Sequence, residues 1–134
     1  MSQARKMLKI VSFVQVVVAL AAVILGIVFF ASGDAEPPFG LELATFRILV
    51  LLTLLAMGVF SFLAAAQGIK GANVPSKLGA HPQLNTACIA TVVVDFILFF
   101  GVPAPNVGII GLFALLAASY AMSRGNLVRK ELDR

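Results

Sequence analysis

Tryptophan is absent from this sequence, and cysteine and histidine occur once each. With Cys88 as its single thiol, the chain cannot form an internal disulfide, a CxxC redox pair or a cysteine metal site. With His81 as its single imidazole, one copy of the chain cannot build a histidine metal site. We therefore expect no metal and no other cofactor. No pair of nucleophile and base can be assembled from these residues, so the chain is not predicted to be an enzyme.

Charged residues are also scarce, at 12% of the chain, whereas 60% of its residues are hydrophobic and the mean hydropathy is +1.04. Soluble domains are about half apolar and about a quarter charged. A folded chain of 134 residues exposes too much surface to hide this many apolar side chains from water. The composition predicts an integral membrane protein whose principal partner is the lipid bilayer. Nucleic acid is not predicted as a partner, because the basic residues form no patch interleaved with aromatics.

Four apolar segments are long enough, or nearly long enough, to cross a bilayer, which takes about 20 helical residues. They cover residues 10–31, 43–66, 86–102 and 107–122. Polar stretches rich in glycine and proline separate them. We predict an all-α fold in which residues 1–134 form a single domain, an integral membrane four-helix bundle. The first segment is too long for the hydrophobic region of a signal peptide, which spans about 7–15 residues.

The basic residues predict the orientation of the bundle. Apart from Arg47, they all lie before the first segment, between the second and third, or after the fourth. The loop between the first and second segments is acidic instead. Lysine and arginine near membrane spans stay in the cytoplasm during insertion. Both termini and the second loop are therefore predicted to be cytoplasmic.

Two ionisable residues lie inside apolar segments, Arg47 in the second and Asp95 in the third. An aspartate at the centre of a spanning helix costs about 2.5–3.5 kcal/mol, so Asp95 is expected to face the interior and to be paired or protonated. Because both residues lie in the outer half of the membrane, we predict an Arg47–Asp95 ion pair. The pair has two interpretations: a structural clamp between helices, or a proton or cation site at Asp95 that Arg47 tunes.

A polar stripe is predicted around Asp95. Cys88 and Thr91 share its helix face, at spacings of three and four residues. Such a stripe either lines a narrow pathway or forms hydrogen bonds with neighbouring helices. Ser12, Gln15 and Ser61 are further polar residues within apolar segments. His81 is expected to be a solvated loop residue.

The predicted loop over residues 67–79 has the most distinctive sequence, QGIKGANVPSKLG. Its Lys70 and Lys77 are expected to contact anionic lipid head groups. The run G-I-x-G-A-N-x-P-x-K-x-G resembles a loop in a family of small, uncharacterised four-helix bacterial membrane proteins. The resemblance implies the four-helix architecture and nothing about activity. We accordingly expect a multi-pass protein of a bacterial inner membrane.

Two classes of function fit these observations. The first is a scaffold, accessory or regulatory subunit that acts through helix–helix contacts, either in a homo-oligomer or with another membrane subunit. The alternative is a small oligomeric transporter or channel that uses Asp95 as a proton or cation site. Replacing Asp95 with asparagine would abolish a coupled flux in the second case, and would change stability or partner binding in the first.

Overall fold

The computed structural model describes residues 2–32, 37–99 and 105–132. Four α-helices account for most of them: α1 (Gln3–Ser32), α2 (Leu43–Asn73), α3 (His81–Leu98) and α4 (Pro105–Leu132). Short 3₁₀ turns, Pro38–Gly40 and Pro75–Lys77, precede α2 and α3. These ranges contain no β-strand. The predicted all-α fold with four helices is confirmed over this part of the chain.

The helices form a bundle in which α1 and α3 each pack between α2 and α4. Contacts along the chain show that neighbours run in opposite directions: Arg5 meets Ala72, and Phe29 meets Phe46. Two ends can therefore be defined. The base is the end where α1 and α3 begin and α2 and α4 end; the apex is the opposite end.

Glycine allows α1 and α2 to approach closely. A Cβ atom at Gly58 would lie 2.6 Å from Val23 Cγ2 and 3.1 Å from the carbonyl oxygen of Ala19. A Cβ atom at Gly26 would lie 3.1 Å from Leu54 Cβ. Small residues at such crossings let backbones approach closely, as in many membrane helix pairs.

Three phenylalanine rings pack against one another at the apex of the bundle. The rings of Phe29, Phe46 and Phe99 have centroids 5.4–5.7 Å apart and meet at steep angles. Edge-to-face geometry of this kind adds about 0.5–1.5 kcal/mol per pair to the burial of the rings. Phe46 is fully buried and Phe99 is 8% exposed. The cluster thus joins α1, α2 and the residue that follows α3.

The predicted second loop is wrong in its first half. α2 continues to Asn73, so Lys70 is helical rather than in a loop. Gly68 and Gly71 mark close packing here, not a turn, because Gly68 faces Ser12 and Gly71 faces Leu78. The helix ends before Pro75 because a proline ring disfavours the helical conformation of the residue that precedes it. That residue, Val74, is extended.

The other predicted boundaries also change. α1 begins seven residues before the predicted residue 10, and α4 runs ten residues past the predicted residue 122. α3 begins at His81 instead of residue 86, with Pro82 in its first turn, where proline is tolerated. It ends at Leu98, whereas the prediction ran to residue 102; residues 100–102 lie outside the described ranges. Arg129 and Lys130 occupy the last turn of α4, where cations favour the helix dipole.

Basic side chains hold the base together. Arg5 donates hydrogen bonds from Nε to the carbonyl of Ala72, at 2.7 Å, and from Nη2 to that of Asn73, at 2.6 Å. Lys9 Nζ donates to Asn73 Oδ1 at 3.2 Å. Arg129 Nη2 donates to the carbonyl of Gly79 at 3.1 Å. These cations satisfy carbonyls that the end of α2 and the following loop leave open.

Candidate functional site

Asp95 is the only acidic residue that the structure buries completely among those it describes. It lies one turn before the end of α3 and faces α4. A Cβ atom at Gly111 would lie 2.7 Å from Asp95 Oδ2, so the carboxylate occupies the space that this glycine leaves. Within the described ranges, neither carboxylate oxygen accepts a hydrogen bond.

This arrangement corrects the predicted ion pair. Arg47 is half-buried near the start of α2, and Asp95 turns towards α4 instead. Similar depth in the bundle is therefore not sufficient to join the two side chains. The structure does not place the guanidinium in hydrogen-bond contact with the carboxylate.

The buried face of α3 continues from Asp95 to the base. Its side chains are His81, Asn85, Cys88, Val92, Asp95 and Leu98, spaced by three or four residues. The Sγ atom of Cys88 and the Oγ atom of Ser61 on α2 are hydrogen-bonded at 3.1 Å. The predicted stripe is thus partly interior. Thr91 lies at its edge: it donates to the carbonyl of Cys88 at 2.6 Å and lines a shallow groove between α2 and α3.

A second polar cluster lies near the base. Gln15 Nε2 of α1 donates to Asn85 Oδ1 at 2.8 Å. Asn85 Nδ2 lies 3.1 Å from His81 Nε2 and donates to the carbonyl of His81 at 3.0 Å. The side chains of Gln15, Asn85 and His81 are at most 1% exposed. Gln15 Oε1 and the hydroxyl of the neighbouring Ser12 are buried without a hydrogen-bond partner in the described chain.

Two glycines make room for His81. A Cβ atom at Gly125 of α4 would lie 2.7 Å from His81 Nδ1, and one at Gly68 of α2 would lie 3.2 Å from His81 Nε2. His81 precedes the apolar segment that begins at residue 86. Its ring fills the space that both glycines leave between α2 and α4.

The expectation that His81 is a solvated loop residue is wrong, because α3 begins earlier than predicted and carries the ring into the bundle. A signal for this was present in the sequence. The spacing of Cys88 and Asp95 extends backwards to Asn85 and His81 with the same helical period. This extension of the helix was not predicted, because Gly79 and Pro82 favoured a loop.

The remaining predicted residues lie at the surface of the base. Lys70 is in the last turn of α2 and Lys77 is in the 3₁₀ turn that follows, and both are exposed. Within the described residues, no three His, Cys, Asp or Glu side chains come together in a group that could hold a metal ion. Over the described residues, the polar interior thus consists of one carboxylate, one imidazole, and amide, hydroxyl and thiol groups.

Comparisons of this chain with protein-family models, curated proteins and solved structures found no match. Two helices, Gln3–Ala31 and Leu43–Asn73, are long and apolar enough to cross a membrane, with mean hydropathies of 2.9 and 2.6 over their most apolar windows.

Proposed function

We propose that this chain is an integral membrane protein whose four helices all cross the bilayer. The inverted distribution of side chains supports this proposal. Amide, imidazole and carboxylate side chains lie inside, whereas Val17, Leu20 and Ile24 of α1 are 66%, 60% and 59% exposed. On α4, Phe113 and Leu116 are 57% and 58% exposed. Water penalises such a surface, whereas lipid tails solvate it.

The base is proposed to face the cytoplasm. It carries the basic residues of both terminal segments and of the loop before α3, and such residues stay on the cytoplasmic side. Both termini then lie inside the cell, in a multi-pass protein of a bacterial inner membrane. α3 has 18 helical residues, about 27 Å, which is close to the thickness of the hydrocarbon core.

We propose that the protein acts as a scaffold, accessory or regulatory subunit that binds another membrane subunit through α1. The supporting observation is a row of large apolar side chains, the α1 ridge: Phe13, Val17, Leu20, Ile24 and Ile27, each at least 54% exposed. Alternating spacings of four and three residues are typical of helices that pack lengthwise against another helix. Over the most apolar stretch of each helix, 28% of the residues of α1 are buried, against 44% of those of α2. One face of α1 is therefore left for a partner helix.

The test is purification of the tagged chain from its native membranes in a mild detergent, followed by mass analysis of the particle. We expect a second membrane protein in a fixed ratio. Replacing Leu20 and Ile24 of the ridge with tryptophan is expected to release it. The same replacement at Leu112 and Leu116, which are exposed on α4, is the matched control and should retain it. A monomer from every preparation would contradict the proposal; a homo-oligomer dispersed only by the ridge variant would identify the partner as a second copy.

A second candidate function is a proton or cation site at Asp95 in a small transporter or channel. One observation favours it: the buried carboxylate accepts no hydrogen bond from the described residues. Ionisable residues inside a membrane are costly and are commonly functional. Phe99 of the Phe29–Phe46–Phe99 cluster lies one helical turn after Asp95, so a path from the carboxylate to the apex would have to pass this cluster.

Flux through reconstituted vesicles distinguishes the two candidates. If Asp95 carries protons or cations, Asp95→Asn removes a flux driven by a pH or cation gradient while the protein still folds and inserts. If no flux exceeds that of empty vesicles for the unaltered protein, the transport candidate fails. Glu42→Gln, an exposed acidic residue before α2, is the matched control.

A further inference from the structure

A groove of about 550 Å³ runs along the second half of α4, next to Ile89 of α3. Its volume is in the range of small-molecule sites. One part of its wall is apolar, made by Ile89, Met122 and Leu127. The other part is polar and includes two cations, Arg124 and Lys130. No acidic residue lines it among the residues described.

Arg124, which lines this groove, also has a hydrogen-bond donor that no described residue uses. Its Nε atom is buried and has no partner among the described residues. Its guanidinium lies 5.1 Å from the centre of the Tyr120 ring, which fixes the side chain along α4. The nearest acidic side chain along the helix, Glu131, is engaged by the hydroxyl of Ser2 at 2.9 Å. Among the described residues, the lining of the groove itself thus carries two cations and no carboxylate.

The depth of the groove matches a lipid head group. Arg124 lies about 28 Å along α4 from Pro105 at the apex, and Lys130 lies about 9 Å further. A hydrocarbon core is about 30 Å thick, so Arg124 falls at its boundary and Lys130 falls among the head groups. The apolar wall at Met122 and Ile89 lies on the hydrocarbon side of Arg124.

We propose that this groove binds the phosphate of an anionic phospholipid of the cytoplasmic leaflet. Arg124 and Lys130 would hold the phosphate oxygens, with Ser123 and Asn126 as further donors, while an acyl chain follows Ile89 and Met122. A guanidinium group binds phosphate oxygens through paired hydrogen-bond donors. Basic residues close to an anionic membrane surface are also attracted to it electrostatically. This inference depends on the proposed membrane insertion and orientation. The proposed lipid site lies on α4 and is separate from the head-group contacts expected of Lys70 and Lys77.

The experiment is native mass spectrometry of the full chain released from detergent with phosphatidylglycerol or phosphatidylcholine. Recovery of the protein with washed membranes is measured first; if it stays in the soluble fraction, the proposed function fails and the lipid site fails with it. For membrane-bound protein, we expect one phosphatidylglycerol to be retained at least about tenfold more tightly than phosphatidylcholine. Equal retention of the two lipids would overturn the lipid site alone.

The following variants distinguish a specific lipid site in the groove from general electrostatic attraction of anionic lipid to a basic surface. Arg124→Gln with Lys130→Gln is expected to abolish the tenfold preference. Lys6→Gln with Lys9→Gln, on α1, removes the same charge from the base and is expected to leave the preference unchanged. Equal losses in both double variants would overturn the proposal. So would full displacement of the lipid by millimolar inorganic phosphate, which would assign the groove to free phosphate. Arg124→Lys, which retains the charge, is expected to retain part of the preference and guards against a folding defect.

Discussion

The carboxylate of Asp95 occupies the space opposite Gly111: a Cβ atom at position 111 would lie 2.7 Å from Asp95 Oδ2. The two residues therefore act as one unit at the contact between α3 and α4. A side chain at 111 would displace the only buried carboxylate of the described chain. The same Cβ would lie 3.1 Å from a ring carbon of Phe96, which further limits any adjustment.

Gly111→Ala is expected to lower the stability of the bundle by about 1–3 kcal/mol, because overpacking forces neighbouring side chains or backbone to move. Thermal unfolding in detergent measures the change. Combining it with Asp95→Ser, which shortens the side chain, should recover part of the loss. Ser119→Ala, on the exposed face of the same helix, is the control and should have little effect. An unchanged melting temperature for Gly111→Ala would contradict this contact.

Asp95→Asn is expected to leave stability unchanged or to raise it by about 1–3 kcal/mol, since a buried charge without hydrogen bonds is costlier than an amide. A structural ion pair would give the opposite sign. Arg47→Gln should act independently, so a double-mutant cycle should show coupling below about 0.5 kcal/mol. Coupling of several kcal/mol would show that the two charges meet in the membrane.

Gly125→Ala is expected to destabilise the base, again by about 1–3 kcal/mol, because its Cβ would lie 2.7 Å from His81 Nδ1. His81→Ser, made in the same chain, should relieve the clash and recover part of the stability. Unfolding followed by circular dichroism is a suitable measurement. If the double variant is as unstable as the sum of the single variants, His81 does not occupy this space.

The sequence predicts the four helices well because the apolar segments and the polar breaks are pronounced. The boundaries at the base were harder to predict, since glycine and proline have two uses. Gly68 was consistent with a loop, yet it lies in α2 and leaves space for Ser12. Pro82 was consistent with a loop, but it sits in the first turn of α3, where its missing N–H costs little.

The interior was predicted in part. Helical spacing placed Cys88 and Asp95 on one face, and the structure buries both. The partner of Asp95 could not be deduced, because depth along a helix does not specify the direction in which a side chain points. The Gln15–Asn85–His81 cluster was missed for a related reason: it depends on residues from α1 and α3 whose register is set by tertiary packing.

The central claim is that four helices cross the bilayer and that the base faces the cytoplasm. Labelling single cysteines in intact cells with a membrane-impermeant maleimide tests it most directly, in a Cys88→Ser background that keeps a hydrogen-bond partner for Ser61. Cysteine at Phe39, in the exposed turn at the apex, should label in intact cells. Cysteine at Ser76, in the exposed turn at the base, should label only after permeabilisation. Equal labelling of both positions in intact cells would contradict the topology, and recovery of the unaltered chain in the soluble fraction would contradict membrane insertion itself.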